Sequence, residues 1–122
     1  MTDVAVSMQK LNEWARELDA LSKMLTDNQR KLEPVMKEYE DAIADEEAAM
    51  WTRYEAGEGK WPGAEFRVKL ARRKMAEDLR DRYDALMAAS SRMETRIGIL
   101  KRLVDAERSV LSAEKTIMEA ER

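Results

Sequence analysis

The residues of this sequence with the clearest chemical potential are bases and aromatic rings crowded between positions 51 and 74. Phosphate contacts need only positive charge and reach, and aromatic faces hold unpaired bases by stacking. The aromatic members are Trp51, Tyr54, Trp61 and Phe66. The pattern predicts a site for single-stranded DNA, and the DNA-binding residues we expect are Arg53, Lys60, Trp61, Arg67, Lys69, Arg72, Arg73 and Lys74.

The same bases also have a purely structural interpretation. Residues 65–82 carry seven bases and four acids, whereas residues 35–56 carry two bases and seven acids. If the two segments face each other, the bases pair with the acids. Glu46 would then lie near Lys74, and its neighbour Glu47 near Arg73. The composition leaves both interpretations open.

The aromatic residues divide in the same way. Tyr54 and Phe66 flank the loop, so packing against it is the simpler expectation for both. Trp61 lies between Lys60 and Pro62, and we expect it to be more exposed than the other rings. Trp14 falls on the apolar row of its helix and is expected in the core or an interface.

Several kinds of chemistry are excluded by composition. The chain has no His and no Cys, so a His base, a thiolate nucleophile and the usual zinc sites are ruled out. The acids at 45–47 are expected to be a solvated face. Gly57-Glu58-Gly59 does not follow a strand, as a dinucleotide-binding loop would. We expect no catalytic residue, no metal and no cofactor, and therefore not an enzyme.

The elements that must position these residues are two long helices. Residues 57–63 hold three of the four Gly and one of the two Pro, which marks a turn. The sequence predicts an all-α fold, a long antiparallel helical hairpin resembling a coiled coil, in one domain over 1–122. Its first helix spans about 3–56 and its second about 64–120. Paired residue numbers should sum to about 120, which places Asn28 opposite Ser91 and Arg92.

The first helix contains one proline, Pro34. Proline removes a backbone donor and clashes with the preceding turn. A kink is the first expectation, and a break with Pro34 at the first helical position is the alternative.

One mostly apolar row recurs at alternating steps of three and four along the second helix, and a flanking row widens this face toward the C-terminus. The row runs Leu79, Tyr83, Leu86, Ser90, Met93, Ile97, Leu100, Val104, Glu107, Leu111, Glu114 and Met118. A wide face implies more than one neighbouring helix, and two helices alone make a thin core. We therefore predict a homo-oligomer. The residues expected to hold the copies together are Leu100, Leu103, Val104, Val110, Leu111, Ile117 and Met118.

The sequence contains few signals of location. No run of apolar residues is long enough to cross a membrane, and the first residues lack the basic and apolar regions of a secretory signal. The expectation is a cytoplasmic protein that makes no contact with membranes.

One segment resembles a known family. Its residues are Arg53-Tyr54-Glu55-Ala56-Gly57-Glu58-Gly59, then Gly63-Ala64-Glu65-Phe66 and a long helix. This segment is similar to UvsY-type recombination mediators of tailed phages, and the resemblance covers about residues 45–112. It implies a ring-shaped homo-oligomer that assembles through its C-terminal helices. It also implies binding to single-stranded DNA, to single-strand-binding protein and to a RecA-like recombinase, which the mediator helps to load; a phage protein would act in the host cytoplasm.

The sequence departs from the family at one place. The family carries bases in the helix just before the turn tyrosine, and the matching positions here read Ala49-Met50-Trp51-Thr52. Only Arg53 is basic there. Contact with DNA would have to move to Arg53, Lys60 and the start of the second helix, or be weaker than in the family. The alternative function is a structural or adaptor coiled-coil protein that has protein partners only.

Overall fold

A computed structural model describes residues 3–121, and three α-helices make up most of that range. Helix α1 spans Asp3–Glu55, α2 spans Ala64–Lys74 and α3 spans Glu77–Ala120. No strand occurs between residues 3 and 121. The prediction of an all-helical chain with long helices is confirmed.

Helix α1 continues through Pro34, so the predicted alternative of a break there is wrong, while the kink stays a prediction. Proline costs a helix interior about 3 kcal/mol because it removes a hydrogen bond and crowds the preceding turn. Leu32 and Val35, on either side of Pro34, are both buried. Apolar burial at about 25 cal/mol per Å² offsets a loss of that size.

The predicted second helix is two helices, because the chain is extended at Met75. The Met75 amide still donates to Ala71 O at 3.0 Å, and α3 starts with Arg80 N donating to Ala76 O at 3.1 Å. Arg80 Nη1 also donates to the carbonyl of Arg72 at 3.3 Å. That contact satisfies one of the carbonyls left open where α2 ends.

The turn after α1 is closed by backbone hydrogen bonds and a glycine. Gly57 has φ 81°, in the left-handed region where a Cβ is disfavoured. Its amide donates to Tyr54 O at 3.0 Å, and the next amide, of Glu58, donates to Arg53 O at 2.9 Å. This pair of bonds is the Schellman arrangement, which satisfies the last carbonyls of a helix. The basic and aromatic residues between positions 51 and 74 therefore lie beside a helix end whose last carbonyls are hydrogen-bonded.

Contacts within the chain divide it into two compact units. One unit contains the chain up to Asp27 and from Ser90 onward. There α1 and α3 pack side by side, and Leu100, with 0% of its surface exposed, and Leu111 are buried. Ser7 Oγ donates to Glu107 Oε1 at 2.6 Å. The predicted register would have placed residue 113 opposite Ser7, so that register is wrong.

The other unit is Asn28–Ala89, and it contains α2 and all the candidate DNA-binding residues. Asn28 Nδ2 donates to Leu86 O at 3.0 Å, six positions before the predicted partner Arg92. The extended conformation of Met75 explains the direction of this error. An extended residue advances about 3.3 Å and a helical one 1.5 Å. Each level of α1 is therefore reached by a lower-numbered residue of α3.

The residues predicted to join copies fall into two groups. Leu100 and Leu111 are buried and Val104 is half-buried within their own unit. The others are exposed, led by Ile117 at 58% and Met118 at 51%, together with Val110 and Leu103. Only the exposed group is available to another molecule. None of the described helices is long and apolar enough to cross a membrane.

Candidate nucleic-acid interface

Helix α2 has an outer face made of one aromatic ring and two cations. Phe66, Lys69 and Arg73 lie at spacings of three and four, which places them on one side of a helix, and all three are exposed. Phe66 has 55% of its surface in solvent, so the expectation that it packs against the turn is wrong. Within residues 3–121, Lys69 and Arg73 have no ion-pair partner.

The opposite face of α2 packs on its own unit through Ala71, which is almost fully buried. Beside it, Arg72 forms a bidentate pair with Asp84, with Nη1–Oδ1 3.1 Å and Nη2–Oδ2 2.6 Å. Arg72 Nη1 also donates to the hydroxyl of buried Tyr39 at 2.8 Å, and its guanidinium lies 5.6 Å from the Tyr39 ring centroid. Arg72 is thus committed to the fold.

The Arg72 contacts change the acid–base properties of their partners. The hydrogen bond from Arg72 holds the pKa of Asp84 below its usual value, and the bond to Asp84 raises the pKa of Arg72. The ring of Tyr83 stacks on Tyr39, with centroids 3.7 Å apart and planes within 4°. Burial raises the pKa of Tyr83. These side chains join α2, α1 and α3, and we call them the Arg72 clasp.

A second set of contacts centres on Glu46 of α1. Its Oε1 lies 2.9 Å from Lys74 Nζ and 3.5 Å from Arg53 Nη2. The pairing of Glu46 with Lys74 is therefore confirmed. The Lys74 ammonium beside it, with help from Arg53, lowers the pKa of Glu46 against the opposing effect of burial.

The neighbouring pair was predicted wrongly. Glu47 Oε1 lies 4.0 Å from Arg67 Nε, whereas Arg73 points to solvent. Glu47 reaches the start of α2, whereas Glu46, one residue earlier, reaches Lys74 at its end. At 4.0 Å the contact is an ion pair and not a hydrogen bond, and the buried Arg67 Nε has no hydrogen-bond acceptor in residues 3–121.

The rings beside the turn form one group. Trp61 lies 5.0 Å from Trp51 in an edge-on arrangement, and Tyr54 lies 5.4 Å from Trp51 and 6.1 Å from Trp61. The Arg67 guanidinium lies 4.6 Å from the Trp61 centroid, and Arg67 Nη1 donates to Pro62 O at 2.7 Å. Trp61 is therefore only half-exposed, while Trp51 and Tyr54 are exposed. The expectation that Trp61 would be the most exposed ring is wrong.

The eight predicted DNA-binding residues are therefore not equivalent. Three cations are exposed and unpaired within the part of the chain that the structure describes, namely Lys60, Lys69 and Arg73. The other five make contacts inside their own unit: Arg53, Trp61, Arg67, Arg72 and Lys74. Phe66 was left out of the predicted set, although its spacing from Lys69 and Arg73 was a signal in the sequence.

The arrangement suits the binding of an anion that also carries a flat ring able to stack on Phe66. Between residues 3 and 121, no group of three or more acidic side chains could hold a metal ion. Comparison with protein families, curated proteins and solved structures found no family, protein or structure that matches this chain.

Proposed function

We propose that this chain is a non-enzymatic, homo-oligomeric recombination mediator. It binds single-stranded DNA through the outer face of α2 and helps to load a RecA-like recombinase in place of single-strand-binding protein. The observation that carries the DNA-binding part is the exposed row Phe66, Lys69 and Arg73. The two cations without partners can bind DNA phosphates, and a nucleobase can stack on the Phe66 ring.

The row favours single strands over duplex DNA. In a duplex the base faces are already stacked, so an exposed ring gains nothing from them, whereas unpaired bases stack on any aromatic face. Trp51 and Tyr54, in the same unit, offer two more exposed rings. Exposed Lys60 adds a cation in the loop between α1 and α2.

The mediator part of the proposal is supported by the resemblance over residues 45–112. The exposed side chains of Leu103, Val110 and Ile117 support self-assembly. They recur every seven residues, which is the spacing of a coiled-coil seam. Light scattering should give a mass above that of one chain. The double variant Val110→Lys with Ile117→Lys should have a lower mass than the unsubstituted protein. If the unsubstituted protein already has the mass of one chain, the proposed self-assembly is contradicted.

The DNA-binding part can be tested with neutral substitutions on the outer face. Lys69→Gln with Arg73→Gln should weaken the binding of a labelled oligonucleotide, measured by fluorescence anisotropy over a range of salt concentrations. The plot of log K against log salt should become less steep by about 0.7 for each phosphate that the variant no longer neutralises. Phe66→Ala should weaken binding by about 1–3 kcal/mol through lost stacking, with an unchanged slope.

Lys101→Gln with Arg108→Gln provides a matched control. It removes the same charge from exposed positions on α3, and it should leave the salt dependence unchanged. Equal effects of the two double variants would mean that binding follows net charge and not the α2 face. To test the loading role, assembly of a labelled recombinase on an oligonucleotide coated with single-strand-binding protein should be faster in the presence of this protein.

A structural or adaptor coiled-coil protein is the second candidate. It is favoured by the intramolecular contacts of Arg53, Arg67, Arg72 and Lys74, which use half of the predicted DNA-binding residues within the fold. This alternative predicts no shift of a labelled oligonucleotide even at low salt. The anisotropy measurement on the unsubstituted protein therefore separates the two candidates.

A further inference from the structure

Glu46 occupies an unusual position among the cations of this site. It lies in the middle of the acidic stretch of α1, and its Oε1 is shared by Lys74 at 2.9 Å and Arg53 at 3.5 Å. Those two cations come from different helices, since Arg53 belongs to α1 and Lys74 to α2. One carboxylate oxygen therefore brings two cations together from two elements.

This oxygen is held by charge more than by directed hydrogen bonds. The Glu46 side chain is 20% exposed, and its Oε1 is shielded from solvent without a well-aligned donor from residues 3–121. The two cations are far more open, at 45% for Arg53 and 52% for Lys74. The anion is thus covered while its partners face water, where another anion can reach them.

We infer that Glu46 is an internal competitor for the DNA phosphates, occupying Arg53 and Lys74 until a phosphate replaces its carboxylate. The inference rests on the proposed function, because it concerns the same DNA site. The two cations are half-exposed, so their pairs with Glu46 are weak enough for a phosphate to compete for them. On exchange the Glu46 carboxylate, 20% exposed, loses their charge and gains only water. A phosphate oxygen offers both cations the same kind of acceptor and charge as the carboxylate it replaces.

The exchange is selective among the cations of the site. Arg72 is held by two carboxylate oxygens and a tyrosine hydroxyl, so its release would leave the hydroxyl of buried Tyr39 without its donor. Arg53 and Lys74 each have a single carboxylate contact, to Glu46. Binding would therefore add these two cations to Lys69 and Arg73 and leave the Arg72 clasp closed.

The test removes the competing charge without changing the shape of the side chain. Glu46→Gln should bind a labelled single-stranded oligonucleotide about two- to 25-fold more tightly at low salt, since each of the two weak ion pairs opposes binding by about 1.4- to fivefold. Asp41→Asn is the matched control, because Asp41 is an exposed acid on the same helix.

A second background shows whether the gain in affinity depends on the two cations. In Arg53→Gln with Lys74→Gln, the further change Glu46→Gln should have no effect beyond that of Asp41→Asn. Far-UV circular dichroism checks that each variant folds. If Glu46→Gln does not fold, Glu46→Ala replaces it, because alanine favours a helix more than glutamine does, and the same gain in affinity is expected.

Each other outcome overturns the inference. Equal effects of Glu46→Gln and Asp41→Asn would mean that Glu46 is no competitor. A gain in affinity that survives without Arg53 and Lys74 would mean the same. In both cases, binding that still depends on Lys69 and Arg73 leaves the proposed function in place. If the unsubstituted protein and the Glu46→Gln variant both fail to bind, the competitor and the DNA site are rejected together.

Discussion

Arg72 and Arg73 are adjacent residues of the same type, and the structure assigns them opposite roles. Arg72 closes the clasp with Asp84 and Tyr39, whereas Arg73 faces solvent. We predict that Arg72→Gln lowers the free energy of unfolding and leaves the salt dependence of DNA binding unchanged. Arg73→Gln should do the reverse.

The size of the difference follows from the contacts. The pair with Asp84 is partly exposed, at 29% and 49% of the side chains, and such pairs contribute about 0.2–1 kcal/mol. The loss of the donor to the buried Tyr39 hydroxyl adds about 1–2 kcal/mol. Both arginines are in the last turn of α2, so the helix-dipole contribution of about 0.3–1 kcal/mol is lost in both variants. Arg72→Gln should therefore cost about 1–3 kcal/mol more than Arg73→Gln.

The assay is urea unfolding followed by circular dichroism, at one protein concentration because self-assembly makes stability depend on concentration. Each variant is also titrated with a labelled oligonucleotide at several salt concentrations. Arg73→Gln should reduce the salt slope by about 0.7. The reasoning fails if the two unfolding free energies agree within about 0.5 kcal/mol, or if Arg72→Gln is the variant that changes the slope.

Three further predictions concern the fold. Leu100→Ala should cost about 2.7–5 kcal/mol in urea unfolding, because the side chain is fully buried and leaves a cavity; a loss below about 1 kcal/mol would contradict that burial. Gly57→Ala should cost about 1–2 kcal/mol from its positive φ alone, whereas Gly98→Ala, in helix with open space around it, should stabilise by about 0.5–1 kcal/mol. The melting temperature should fall as pH drops below about 4. Glu46 and Asp84 have lowered pKa values in the folded protein. Their contribution to stability is complete above their unfolded pKa values and is lost as they become protonated at lower pH. Glu46→Gln with Asp84→Asn should make this fall shallower, and an unchanged acid profile would argue against both pairs.

The apolar rows were predictable because their spacing is local information. The row of α3 predicted at steps of three and four contains its buried residues, Ser90, Leu100 and Leu111. One polar contact was missed on the facing row. Ser7 lies between Val4 and Leu11 at steps of three and four, and its partner Glu107 is on the predicted row of α3.

The state of each cation was not predictable from the sequence. Neighbouring helical residues differ by about 100° in direction, so which of Arg72 and Arg73 faces the rest of the fold depends on how α2 is rotated about its axis. That rotation is set by packing at Ala71 and by the clasp to α1 and α3. Charge counts over residues 65–82 cannot resolve it, because they treat all the bases in the segment alike.

The interruption at Met75 decides which cations face solvent. If the apolar row of α3 is continued backward from Leu79 at the same alternating steps, it passes through residues 76, 72 and 69. In an uninterrupted helix Lys69 would then lie on the buried row. With the chain extended at Met75, α2 instead buries Ala71 and turns Lys69 and Arg73 outward. The proposed DNA-binding face therefore depends on a break that contains neither glycine nor proline.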